Sequence, residues 1–181
     1  VFCERGAFSR EETERILRFG QRAGLKARIH AEELSDTGGA VLAAELGAAS
    51  ADHLKKIGQE GIDRMAAAGV FGVLLPGTSF GLPSLDFAPA RAMVAGGMRL
   101  AIATDFNPGS STCESMPMMI SIACSHMRLS PAEAIAMTTY NPAFVLGRER
   151  EVGSLETGKR ADFIVLDAQD RILEMNPAAA Q

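Results

Sequence analysis

The sequence predicts an α/β fold: a partial (β/α)8 barrel, the C-terminal half, built from parallel strands covered by helices, with the start of a small β-sandwich after it. Three observations carry this. Helical and strand-like segments alternate over residues 9–138. Two of the strand-like segments, 70–75 and 98–103, are apolar runs broken by no charge but Arg99, the pattern of strands covered on both faces. His30, His53 and Asp105 each follow a strand-like segment, the position that carries chemistry in barrels.

The elements follow in order. Ser9-Arg10-Glu11-Glu12 is a capping box: the Ser hydroxyl accepts from a backbone N–H and the Glu carboxylate reaches back. Ile16, Leu17, Gly20 and Ala23 then share one face of a helix that stops at Gly24. Residues 25–29 read as a short strand ending at His30. Residues 39–47 are Ala/Leu-rich and helical, and 48–50 form a weak strand leading to His53. A helix over 59–68 is capped by Gly69. The apolar run 70–75 is a strand stopped by Pro76-Gly77. A short helix over 89–95 precedes Gly96-Gly97, and the strand 98–103 reaches Asp105. Helices follow at about 114–127 and 131–138, the second opened by Ser130-Pro131-Ala132-Glu133, a capping box with Pro at the first helical position. After Asn141-Pro142-Ala143 the character changes. Residues 161–166 and 171–173 read as strands with no helix between them. This divides the chain into a barrel unit, 1–150, and the beginning of a sandwich, 151–181.

Spacing supports the barrel. One βα unit takes roughly 30 residues. His30 to His53 matches about one unit and His53 to Asp105 about two, with an intervening strand ending at Leu75. By this count about half of a barrel is expected, and the first residues, Val1-Phe2-Cys3-Glu4, read as the inside of a domain rather than a signal peptide.

The bulk properties exclude several classes. A net charge of -4 gives no electrostatic footprint for nucleic acid. No apolar run approaches the ~18 residues a membrane span needs. Cys3, Cys113 and Cys124 form no CxxC pair, so a disulfide framework or cysteine zinc site is not expected and a reducing, cytoplasmic setting is.

Taken singly, His30 and His53 read as hydrogen-bonded structural residues, and Asp105 as a turn residue in Thr104-Asp105-Phe106-Asn107-Pro108-Gly109-Ser110. Three strand ends carrying imidazole or carboxylate point instead to a zinc or iron site. The surrounding words sharpen this. His30-Ala31-Glu32-Glu33, Ser50-Ala51-Asp52-His53-Leu54, Leu74-Leu75-Pro76-Gly77-Thr78 and Asp105-Phe106-Asn107-Pro108-Gly109-Ser110 together resemble the imidazolonepropionase family, metal-dependent hydrolases of the amidohydrolase superfamily. The resemblance runs from Phe2 to about Asp167, and Gly153 to Asp162 resembles the segment where that superfamily's chain leaves the barrel.

The resemblance implies a fold of amidohydrolase type and hydrolysis of the cyclic amide of 4-imidazolone-5-propanoate to N-formimidoyl-L-glutamate. It implies one divalent metal, zinc or iron, with His30 and Asp105 as ligands. His53 would stand beside the attacking water, and Asp105, His53 and Glu33 would carry the catalysis. Glu33, Asn107, Gly109 and Ser110 would bind the substrate. It further implies a small-molecule substrate, no nucleic-acid or membrane partner, and a homodimer. His126 and the methionines at 116, 118, 119 and 127 read as packing residues. Gly153-x4-Gly158-Lys159 imitates a phosphate loop, but Arg160 stands where Ser or Thr is required and a strand follows. The family takes two further ligands from a His-x-His pair, and no two of the three histidines here are two apart. Two alternatives stay open: another amidohydrolase, such as a deaminase or a dihydroorotase-like enzyme, and a non-catalytic fragment.

Overall fold

The structure is a computed structural model that describes residues 1–83, 85–169 and 172–175. Five parallel strands form one sheet in chain order: β1 (Phe2–Cys3), β2 (Arg28–Ala31), β3 (Ser50–His53), β4 (Phe71–Leu74) and β5 (Leu100–Ile102). Helices α1 (Arg10–Arg22), α2 (Gly39–Glu45), α3 (Gln59–Ala68), α4 (Pro76–Gly81) and α5 (Ala90–Ala95) fill the crossovers, and α6 (Met116–Met127), α7 (Pro131–Thr138) and α8 (Tyr140–Leu146) follow the last strand. Sequential parallel strands with a helix in every crossover are barrel architecture, here five strands of the eight that close one. The pair β6 (Ile164–Leu166) and β7 (Ile172–Met175) is antiparallel and forms a separate sheet. Residues 170–171 and 176–181, which include Arg171 of the expected last strand, lie outside the described residues.

Both expected capping boxes form. The Ser9 and Ser130 hydroxyls accept from the N–H groups of Glu12 and Glu133, and each carboxylate accepts in return from the cap's own N–H. The buried stripe of α1 is not the expected one. Thr13 and Leu17 are buried, Ile16 is exposed, and Ala23 caps the helix from outside it. The i, i+4 pair closest to the sheet includes a small threonine, so the more apolar Ile16 falls off the face.

Three elements escaped the sequence pattern. β1 is two residues long and has no period to read. Pro76-Gly77 resembles a turn, yet Pro76 opens α4, where a missing N–H is no loss. Pro142 sits in the first turn of α8 for the same reason, so Asn141-Pro142-Ala143 starts a helix rather than ending one.

Register divides the sheet into two faces. Ile29, Ala51, Gly72 and Leu100 form one row, with Leu74 beside Ile102. This face packs under the helices against Leu42, Met65, Met93 and Met119, all wholly buried. Met127 is buried too, while Met118 is exposed at the protein surface rather than packed. The opposite face presents Phe2, His30, Asp52, Val73 and Ala101. There α8 lays Val145 against Phe71 and Ala101, and Arg28 donates to the Val145 carbonyl at 2.8 Å. The end of that face that carries His30 is the candidate site.

Candidate metal centre

His30 lies inside β2, one residue before its end. Its ring stacks on Phe2 with centroids 3.5 Å apart and meets the His53 ring at 4.2 Å. His53 pairs in register with Ala31, so strand alternation alone would send it under the helices. Its φ of 75° and that of Leu54, 58°, break the alternation. Leu54 takes the wholly buried core position, and the imidazole turns back over the strand ends toward His30. Glu32 and Asp105 are also left-handed, with φ of 57° and 51°. This region is sterically disfavoured for residues with a side chain. Four such residues around one cluster follow the tendency of strained backbone to gather at functional sites.

The geometry joins Glu33 to the two histidines. One Glu33 oxygen stands 3.5 Å from His30 Nε2. The other is 3.6 Å from His53 Nδ1 and 3.8 Å from Lys55 Nζ. One ligand atom from each of His30, Glu33 and His53 lies within 4.8 Å of the others. Asp105 lies three residues beyond β5. Its Oδ2 accepts from the Thr78 hydroxyl at 2.6 Å and is 3.9 Å from His53 Nε2.

Burial sets the charge states. It lowers His30 to about 4, against the opposing pull of Glu4 and Asp105, and lowers His53 to about 3, reinforced by His30 and Lys55. Both imidazoles are therefore neutral at pH 7, with a lone pair to offer. Burial raises Glu33, which Lys55 opposes. His30 Nε2 and His53 Nδ1 are buried and make no hydrogen bond. Buried polar atoms without partners are rare. Neutral imidazole nitrogens facing carboxylates at these distances are a donor set for Zn²⁺ or Fe²⁺, so these residues fit a divalent ion.

The residues expected to bind substrate, Asn107, Gly109 and Ser110, fall in two different environments. The Asn107 amide is taken up by its own loop. Nδ2 donates to the Asp105 carbonyl at 2.6 Å and to Ser110 Oγ at 3.1 Å, and Oδ1 accepts from the N–H groups of Gly109 and Ser110. Gly109 and Ser110 instead line a cavity of about 360 Å³ with Gly77, Phe80 and Met118. His126 is exposed, hydrogen-bonded to Ser125 and packed on Phe87, as expected of a structural residue. Lys159 of the phosphate-loop imitation is bound to Ser154 and Glu156.

Four participants went unseen in the sequence. Thr78 was visible within a motif, but its bond to Asp105 needs the fold. Lys55 had no signal at all. Glu32, whose Oε1 accepts from the Ala40 N–H at 2.9 Å, is raised to about 7 by burial. Glu4 directly follows β1, a two-residue strand that leaves no pattern in the sequence.

The model of a family described as "Amidohydrolase family" matches residues 4–180. Curated relatives named imidazolonepropionase include those of Geobacillus thermodenitrificans, 52% identical over 168 residues, Symbiobacterium thermophilum, 49% over 166, and Treponema denticola, 47% over 168. These matches cover 92–93% of this chain and 39–41% of each relative. The chain thus spans about two fifths of their length. Among solved structures, a zinc-bound adenosine deaminase from Xanthomonas campestris superposes with a TM-score of 0.74 at 24% identity, covering 89% of this chain and 41% of its own. A triazine hydrolase variant gives 0.73 at 24% identity, with 94% and 42% covered. These likenesses establish the fold.

Proposed function

This chain belongs to the amidohydrolase family, and from that premise we propose that it supplies part of the active site of an imidazolonepropionase. The reaction is hydrolysis of the cyclic amide of 4-imidazolone-5-propanoate to N-formimidoyl-L-glutamate. The observation that carries it is the buried cluster of two neutral histidines whose unpartnered nitrogens, His30 Nε2 and His53 Nδ1, both face Glu33, with Asp105 3.9 Å from the other His53 nitrogen. The naming of relatives at about 50% identity chooses among the hydrolyses such a cluster could perform. His30 and Asp105 would hold the ion, zinc or iron; the zinc-bound structural neighbour favours zinc. A divalent ion there supplies Lewis acidity, making water a nucleophile near neutral pH.

The protein's own groups do the rest. Thr78 holds Asp105 Oδ2, which leaves Oδ1 to accept the water's proton and deliver it to the leaving ring nitrogen. His53, neutral through burial, donates one hydrogen bond to the oxygen that gains charge as the carbonyl carbon becomes tetrahedral. Glu33 accepts from a ring N–H and so orients the imidazolone. Asn107 braces the loop that presents Gly109 and Ser110 to the substrate. The barrel unit is assigned to 1–150 and the sandwich start to 151–181, supported by the change to an antiparallel pair at β6 and β7. A cytoplasmic homodimer acting on a small molecule completes the reading, in keeping with three free cysteines.

The test is a chimera in which this chain replaces the matched part of the Geobacillus thermodenitrificans relative. Metal-loaded chimera should consume 4-imidazolone-5-propanoate and release N-formimidoyl-L-glutamate, and should leave adenosine, guanine and dihydroorotate unchanged. A folded, metal-loaded chimera that turned over one of those three instead would overturn the assignment.

A further inference from the structure

Glu4 is a wholly buried carboxylate, 2% exposed, to which the chemistry above gives no part. Its surroundings are unusual for an acid. Oε1 accepts from the backbone N–H of Glu33 at 2.5 Å and of Leu34 at 3.2 Å, and Oε2 accepts from the N–H of Ser35 at 3.2 Å and its hydroxyl at 3.1 Å. Oε1 also stands 3.9 Å from His30 Nε2. Three consecutive backbone N–H groups and a hydroxyl thus converge on one anion. A buried charge is tolerated only with such pairing. The donors come from the loop after β2 and the acceptor from the end of β1, so the carboxylate ties one strand end to the next.

The tie matters because of what it holds. Residues 33–35 are not in a strand or helix, and the left-handed Glu32 before them gives the loop no regular backbone bonding to fix its path. Yet the Glu33 carboxylate must reach His30, His53 and Lys55 at once, at 3.5, 3.6 and 3.8 Å. Glu4 bonds the Glu33 N–H itself. It therefore sets the Cα from which that side chain extends.

We propose that Glu4 is a positioning residue that fixes Glu33 against the two histidines, and that the enzyme depends on it through Glu33 alone. The proposal rests on the reading in which Glu33 orients the substrate. Glu4→Gln keeps the shape but turns an NH2 toward donors, removing two of the four acceptor contacts whichever oxygen it replaces. Ser35→Ala removes only the hydroxyl donor and leaves the three backbone bonds.

The experiment is a double-mutant cycle in the chimera, with Glu4→Gln, Glu33→Gln and both together, alongside amide hydrogen exchange at 33–35. Glu4→Gln should lower kcat/KM by about tenfold or more, while adding less than about twofold in the Glu33→Gln background, because coupled residues are not additive. The amides of 33–35 should exchange about tenfold faster in Glu4→Gln, and Ser35→Ala should change both readouts by less than about threefold. Equal losses from Glu4→Gln in both backgrounds would show a general structural role and overturn the proposal. Unchanged exchange at 33–35 would overturn it too, in any folded variant and without any substrate. Absence of imidazolone turnover in the unmutated chimera would count against the function instead, and exchange would still decide for or against the clamp.

Discussion

Asp105→Asn separates chemistry from architecture at the site with little ambiguity. Asp105 adopts a φ of 51°, a left-handed conformation that Asn tolerates better than almost any other residue with a side chain. The backbone therefore accepts the change. The Thr78 hydroxyl keeps an acceptor at the position of Oδ2, 2.6 Å away. That bond passes from charge-assisted to neutral, from about 1.5–3 to about 0.5–1.5 kcal/mol. The fold should lose about 1 kcal/mol. Chemistry fares differently. The amide cannot accept the water's proton, and loss of a general base costs about 10²–10⁴ in rate. Weakened metal binding adds to this. The assay measures kcat, metal content and thermal midpoint together for chimera and variant. The expected result is a midpoint shift of a few degrees with turnover down by at least about a hundredfold. A variant that kept more than about a tenth of the activity would leave Asp105 a turn residue and remove it from the mechanism.

Other perturbations follow from the same geometry. Gly39→Ala would place a Cβ 2.6 Å from the Ala31 Cβ, one residue after His30, and should destabilise the fold by about 1–3 kcal/mol as overpacking does, read from denaturant unfolding. The histidines set a pH signature. With folded values of about 4 and 3 against 6.5 when unfolded, the unfolded state takes up protons first. Metal-free protein should therefore be fully stabilised above about pH 6.5 and lose stability as pH falls toward 4 and then 3. For the same reason protons should compete poorly for the metal site, so metal content after dialysis should be intact at pH 5.5 and lost by about pH 3.5. A loss centred near 6.5 would contradict the burial argument. The 181-residue chain alone offers no His-x-His pair and leaves β1 and β5 as sheet edges. It should show no imidazolone turnover and should associate in light scattering, and a sharp monomer with full activity would refute this.

The fold was legible where one physical rule acts alone. Capping boxes at Ser9 and Ser130, apolar runs at 70–75 and 98–103, and Gly69 at a helix end each report a local preference, and each element appeared within a few residues of its expected place. What failed was tertiary. Pro76 and Pro142 break helices in the interior and start them in the first turn, and sequence alone does not say which turn is first. Thr13 displaced Ile16 from the buried face of α1 because the sheet, not hydropathy, chose the contact. The site followed the same division. His30, His53 and Asp105 could be found by their place near strand ends, although the inward turn of His53 depends on a left-handed kink that no pattern encodes. Glu4 and Lys55 acquire meaning only when β1, β2 and β3 stand side by side.

Anomalous scattering from crystals of the metal-loaded chimera, recorded on either side of the absorption edge of the bound metal, tests the central claim most directly. The cluster predicts one strong peak about 2.0–2.2 Å from His30 Nε2 and from an Asp105 carboxylate oxygen, with His53 and Glu33 facing it. A fully occupied ion elsewhere in the molecule, with His30 and Asp105 free of metal, would contradict it.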